Sequence, residues 1–209
     1  MNFISWNCQG LGKFLTIQTL KEITRSHDLS FVFLSETHKN DNYVNKVRRQ
    51  LGFSKGYHVS PINTAGGLSL WWRPNYKVEV VDYSKIFIDT LITYPGSATP
   101  FRVTWMYGPP YGEDKAAFWK KWYNSNHNVS IPWLIIGDLN KIINSFEREG
   151  GSCWLPGRRN YPRNFISSNS LLDIGYKGSC FTWARKEDGI VVLQERLDRS
   201  LLNECWIMH

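Results

Sequence analysis

The chain has 209 residues, 42% hydrophobic and 15% aromatic, with a net charge of +7 and an isoelectric point near 9.2. That length fits one domain, 1–209, with a sizeable core, and the apolar content excludes a disordered chain. No apolar run is long enough to span a bilayer, so no membrane partner is expected, and the basic excess points toward polyanions.

In chain order, short apolar runs alternate with amphipathic ones. The first strand, FISWNC (3–8), begins with no basic signal-peptide region ahead of it, so the expected compartment is intracellular, with the nucleus compatible. LTIQTLKEITRSH (15–27) sets Leu15, Ile17, Leu20 and Ile23 on one stripe and predicts a helix. FVFLSE (31–36) is a continuous apolar run, the pattern of a strand buried on both faces. DNYVNKVRRQLGF (41–53) predicts a second helix with Gly52 as its stop. Strands follow at GLSLWW (67–72), VEVVDY (78–83), FIDTLITY (87–94) and FRVTWMY (101–107), of which VEVVDY partly alternates and so exposes one face.

EDKAAFWKKWYN (113–124) predicts a helix carrying Phe118, Trp119 and Trp122, and WLIIGD (133–138) another buried strand. EGGSCWLPGRRNYPRN (149–164) reads as the longest loop. Strands are expected at CFTWAR (180–185) and VVLQER (191–196), then an amphipathic helix over RLDRSLLNECW (196–206). The class is mixed α/β. Cys8, Cys153, Cys180 and Cys205 form no C-x-x-C pair and no zinc spacing with the histidines, and read as reduced thiols.

Ligands in sheet proteins often sit beyond the carboxyl ends of strands, where this chain places Asn7, Glu36, Tyr107, Asp138 and Asn140. Singly, each has a structural reading: a turn-forming Asn, a solvated Glu, a Tyr with its hydroxyl at the core's rim. Together they form a chemical kit. Glu36 with an amide suits a hard cation that keeps its waters. Asp138 and Asn140, two apart and so on one side of an extended chain, combine a carboxylate that handles a proton with an amide that holds water or phosphate. Tyr107 can donate to a phosphate or leaving oxygen. Phosphoester hydrolysis needs charge neutralisation, a positioned water and help for the leaving group.

The ordered blocks ISWNCQGLG, FVFLSETH, GGLSLWW, YGPP, WLIIGDLNKII and LLDIGYKGSCFTWAR…ERLDRSLL resemble the endonuclease/exonuclease/phosphatase superfamily. More narrowly, the chain is similar to the apurinic-endonuclease-like domain of plant LINE-type (non-long-terminal-repeat) retrotransposons. The resemblance implies a four-layer αββα sandwich, two packed sheets flanked by helices. It also implies a DNA-nicking endonuclease dependent on Mg²⁺, with Mn²⁺ an alternative. Glu36 would be the principal metal ligand and Asn7 would contact the metal region and phosphate. Tyr107 would lie against the phosphate or leaving group. Asp138 would orient or deprotonate the water, or protonate the leaving oxygen, and Asn140 would hold phosphate and water. Asp198 matches the carboxylate that orients a histidine. Arg158, Arg159 and Arg163 are candidate DNA-phosphate contacts, with Trp154 a candidate wedge, beside the alternative of a solvated basic loop.

The family pattern continues to a final strand beginning Ser-Asp-His, whereas this sequence stops at NECWIMH. The expectation is a C-terminally incomplete domain lacking that catalytic strand, with weak or absent activity and an unpaired sheet edge. The alternatives are a non-catalytic retroelement remnant that at most binds nucleic acid, and a phosphoesterase acting on small molecules.

Overall fold

A computed structural model of the chain describes residues 1–63, 65–109, 112–125, 129–151 and 161–208. They form two compact units, Met1–Trp105 and Met106–His209. Both are mixed α/β, as the sequence predicts.

The first unit runs β1 (Phe3–Asn7), α1 (Phe14–His27), β2 (Phe31–Ser35), α2 (Asp41–Gln50), β3 (Lys55–Val59), β4 (Leu68–Trp72), β5 (Lys77–Ser84), β6 (Phe87–Thr93) and β7 (Phe101–Tyr107), whose last residues pass into the second unit. One sheet has the order β1-β2-β4-β3, with β1 and β2 parallel and the other pairs antiparallel. β2 is buried throughout, and its alternation explains how. Val32 and Leu34 enter a cluster with Leu20 of α1, Val44 and Val47 of α2, and Trp71. Phe31 and Phe33 face the other way, their rings 5.7 and 6.0 Å from Trp105 of β7, whose neighbour in the sheet is β6. The unit is thus layered helix, sheet, sheet.

Local chemistry sets its helix ends. Asn40 caps α2 by accepting a hydrogen bond from the Tyr43 N–H at 3.0 Å, and Gly52, at φ +80°, turns the chain just past Leu51. Leu15 departs from the predicted stripe of α1. It is 75% exposed, while Leu20 is buried, Ile17 and Ile23 pack against the core, and Thr16 and Thr24 join the buried face. β3 was not predicted, because its sequence KGYHV lacks an apolar run.

The second unit runs α3 (Gly112–Ser125), β8 (Trp133–Asp138), a 3-10 turn (Ser145–Glu147), β9 (Arg148–Gly150), α4 (Tyr161–Ser168), β10 (Leu172–Asp173), β11 (Trp183–Glu187), β12 (Ile190–Glu195), β13 (Asp198–Leu202) and α5 (Glu204–Ile207). β13 lies between β10 and β8, antiparallel to both, while β11, β12 and β9 form a small sheet of their own. α3 and α4 pack on β8 through aromatic rings: Phe165 of α4 lies 5.2 Å from Trp122 of α3 and 6.0 Å from Trp133. Much of the chain's tryptophan is therefore core.

Two predicted elements need correction here. RLDRSLLNECW (196–206) is not one helix. Asp198–Leu202 is strand β13, and only Glu204–Ile207 is helical, capped by Asn203. The strand buries Arg199 and Leu201, a period of two, and the buried position held by an arginine hides that period from a hydrophobicity reading. Of the predicted loop 149–164, β9 occupies the start and α4 the end from Tyr161, while 152–160 lie outside the described residues. Among the described residues Cys8, Cys180 and Cys205 are free thiols; Cys153 lies outside them. No helix among the described residues is long and apolar enough to cross a membrane.

Candidate active site

In the first unit, Asn7 and Glu36 lie at the ends of neighbouring parallel strands, where Asn7 pairs with Ser35. Glu36 takes a left-handed backbone, φ +53°, directly after β2. Its carboxylate accepts a hydrogen bond from Asn7 Nδ2 at 3.0 Å and lies 3.9 Å from His38 Nε2. The amide oxygen of Asn7 accepts from the Gln9 N–H at 3.4 Å. Asn7 therefore presents its donor to the carboxylate and holds it in place. The neighbouring Cys8 thiol is inert: burial pushes it up to about 11 and its Sγ donates to the Ser35 carbonyl.

Among the described residues no cluster of three or more His, Cys, Asp or Glu side chains could cage a metal. One partly exposed carboxylate held by an amide fits Mg²⁺, which keeps most of its waters and needs few protein oxygens. The same donors do not fit zinc.

In the second unit, Tyr107 ends β7 in a buried position, and the following Gly108 donates its N–H to the Asp138 carbonyl at 2.7 Å. Any side chain at Gly108 would collide with the Leu139 backbone, and one at Gly137, at φ +138°, with the Met106 carbonyl. These glycines let the chain close around Asp138. Asp138 and Asn140 do come together, though not because the chain stays extended. β8 stops at Asp138, Asn140 sits at φ +51°, and Asp138 Oδ1 accepts the Asn140 N–H at 2.7 Å. This is an Asx turn. Asn140 Nδ2 then donates to the Gly108 carbonyl at 2.6 Å, and Lys115 Nζ of α3 donates to the Asn140 carbonyl at 2.7 Å. The side-chain oxygen of Asn140 takes no hydrogen bond among the described residues.

Asp198 stands directly opposite Asp138 in the β8–β13 register. Burial pushes its carboxyl above the usual range, opposed by a hydrogen bond with the Thr182 side chain. Behind this pair lies a network of buried charge. Arg199 Nη2 donates to Glu147 at 2.5 Å and Nη1 to Asp173 at 2.7 Å, while Arg196 Nη2 donates to Asp173 at 2.7 Å. Glu147 also accepts the N–H groups of Ile143 and Asn144. Burial raises both carboxyls, but the arginine and backbone donors outweigh it and hold them below the usual range.

Arg163 lies on α4, donating to Asn144 at 3.1 Å. Trp154, Arg158 and Arg159 lie outside the described residues. Sequence reasoning passed over Lys115, Thr182 and Glu147. Only Glu147 carries a local signal: Asn144 three residues ahead of it spells a capping box.

A sequence profile of the Endonuclease/Exonuclease/phosphatase family matches residues 4–173. No curated protein matches. Among solved structures, the AP endonuclease LMAP from Leishmania major superposes with a TM-score of 0.68 at 14% identity, over 97% of this chain and 79% of that one. The endonuclease domain of TRAS1, a telomere-specific non-LTR retrotransposon, superposes with a TM-score of 0.61 at 13% identity, over 97% and 84%. TDP2 from D. rerio, complexed with a single-strand DNA product, gives 0.61 at 16% identity, over 96% and 82%. At such identities the likeness is one of fold.

Proposed function

The chain belongs to the endonuclease/exonuclease/phosphatase family, and from that premise we propose that it is a divalent-metal-dependent phosphodiesterase that nicks DNA, of LINE-type retrotransposon origin. The observation that carries the reading is the Asp138–Asn140 turn. Its carboxylate is fixed by a backbone N–H, and its amide is clamped on Gly108 with an oxygen left over to accept from a water. A group so held can aim a water at phosphorus without reorganising.

Glu36 would hold Mg²⁺ or Mn²⁺, with Asn7 keeping the carboxylate oriented. A cation bound there supplies charge neutralisation at the phosphate. Asp138 takes or returns the proton, Asn140 positions the water, and Tyr107 donates to the phosphate or leaving oxygen. Asp198, directly opposite Asp138 in the strand register, would set the charge beside it. Arg163, and Arg158, Arg159 and Trp154 beyond the described residues, would meet the DNA. The DNA substrate is favoured by net charge and by the nucleases that share the fold.

The test is nicking of supercoiled plasmid in Mg²⁺ by the parent chain and by Glu36→Ala and Asp138→Ala. Each substitution should slow nicking by about 10²–10³-fold. Nicking that persists equally in both variants, or a parent chain that nicks nothing in Mg²⁺ or Mn²⁺, would sink the proposal. In the second case a parent chain that still retains duplex would be a binding module.

A further inference from the structure

Lys115 presents an ammonium group to the second cluster, and no sequence motif announces it. It comes from the first turns of α3, and its Nζ lies 2.7 Å from the carbonyl oxygen of Asn140. An ammonium has three donors and no acceptor. One is used on that carbonyl; among the described residues the other two meet no protein acceptor. The group is also partly withdrawn from water. Burial lowers its pKa, Lys141 lowers it further, and the carboxylates of Glu195 and Asp138 oppose the shift. A half-buried cation with unspent donors is costly unless something anionic completes it.

A tether for helix α3 would not need this. A carbonyl oxygen is satisfied by any neutral donor, and a charged one adds a desolvation cost that a glutamine would avoid. Glu195 and Asp138 favour the charge from nearby, but the donors left over on the ammonium are open to an anion arriving beside Asn140. From this geometry we propose that Lys115 is a phosphate-binding residue, its free donors meeting a phosphodiester oxygen at the Asp138–Asn140 turn. This rests on the phosphodiesterase reading above and adds to it the residue that holds the substrate's charge on this side. The anchored bond to the Asn140 carbonyl keeps the ammonium in register with the water-positioning amide. Substrate binding and water placement are then coupled through one residue.

The probes are supercoiled plasmid for nicking and a fluorescent DNA duplex for binding without metal, with salt varied in both. Lys115→Met keeps the aliphatic stem and removes the charge, and Lys115→Arg keeps a charge. The salt dependence of duplex binding should become shallower by about 0.9 in the log–log slope for Lys115→Met. Nicking kcat/KM should fall roughly tenfold or more, and Lys115→Arg should restore the slope. A tether would instead lower the melting temperature and leave the slope unchanged, which would overturn the proposal. Should Lys115→Met fail to fold, Lys115→Gln gives the same comparison with a donor retained. A parent chain that neither binds nor nicks would overturn both readings. One that does both while Lys115→Met matches it would overturn this one alone.

Discussion

Glu36 follows and Asp138 ends a strand whose residues are almost entirely buried, yet the protein holds the two carboxylates in opposite ways. Glu36 sits on a left-handed residue and is steadied by two side chains, Asn7 at 3.0 Å and His38 at 3.9 Å. Asp138 is steadied by backbone. Asn140 donates to it, Gly108 closes on its carbonyl, and β13 pairs along its whole strand. In the proposed reading, a carboxylate that exchanges water for a cation gains from light, accessible support. One that would be aimed at a reacting atom gains from a frame that does not move. The second frame is reinforced by buried charge: Glu147 ties the loop leaving Asn140 to Arg199 on β13.

The most direct way to break this contrast is at Glu147. Its side chain is 1% exposed and that of Arg199 fully buried, so Glu147→Ala removes a carboxylate from the buried guanidinium, leaving it on Asp173, and frees two backbone N–H groups. A loss of about 2–4 kcal/mol is expected, from a weakened buried ion pair and two backbone donors left without their acceptor. Urea unfolding checks it. A midpoint that moves by less than a tenth of the parent's would show that the network contributes little. Glu147→Met with Arg199→Met should recover most of the loss, because an apolar pair leaves no orphaned charge. Nicking by that double variant then reports whether the frame must be ionic to aim Asp138.

Which parts of this contrast could be read from sequence follows from what holds each residue. β2, β4, β7 and β8 announce themselves because burial on both faces demands unbroken apolar runs such as FVFLS and WLIIGD. β13 does not, because its buried Arg199 is made tolerable by Glu147 and Asp173, which come from distant turns of the chain. The candidate residues at strand ends were legible by type and place. Their geometry was not: the left-handed backbone at Glu36 and Asn140 is unusual for residues other than glycine, and no local pattern marks it. Lys115 was hidden because it reaches Asn140 across 25 positions of sequence, a proximity that only the packed helix creates.

The carboxyls of the second frame also pull against each other with pH. Glu147 and Asp173 are held below the usual range, so the stability they contribute is present above the unfolded value near 4 and is lost as pH falls through the folded values. Asp198 is raised, so its contribution is present below the unfolded value and lost as pH rises through the folded one. Stability of the parent should fall in acid less steeply than that of Asp198→Asn, which lacks the opposing group. At neutral pH Asp198→Asn should be the more stable protein, since it no longer buries a charge, while nicking more slowly. Urea midpoints across pH 3–8 decide it: parallel curves for the two proteins would mean that Asp198 carries no burial cost.

The lighter frame of the first unit should break in a smaller step. The segment that carries Glu36 and His38 runs straight into Asn40, whose side chain caps α2 by accepting from Tyr43. Asn40→Ala leaves that N–H to water and should cost about 1 kcal/mol, the ordinary worth of an N-cap. Asn40→Ser, which can cap the same turn, should recover most of it. The loss is local, since Val44 and Val47 remain packed in the helix-side core and can hold the helix in place. Frayed first-turn amides in hydrogen exchange, with unchanged protection in β8 and β13, would mark the first frame as separately adjustable. Equal loss of protection in β8 would instead tie the two frames into one cooperative unit, and the difference between Glu36 and Asp138 would then be one of contacts alone.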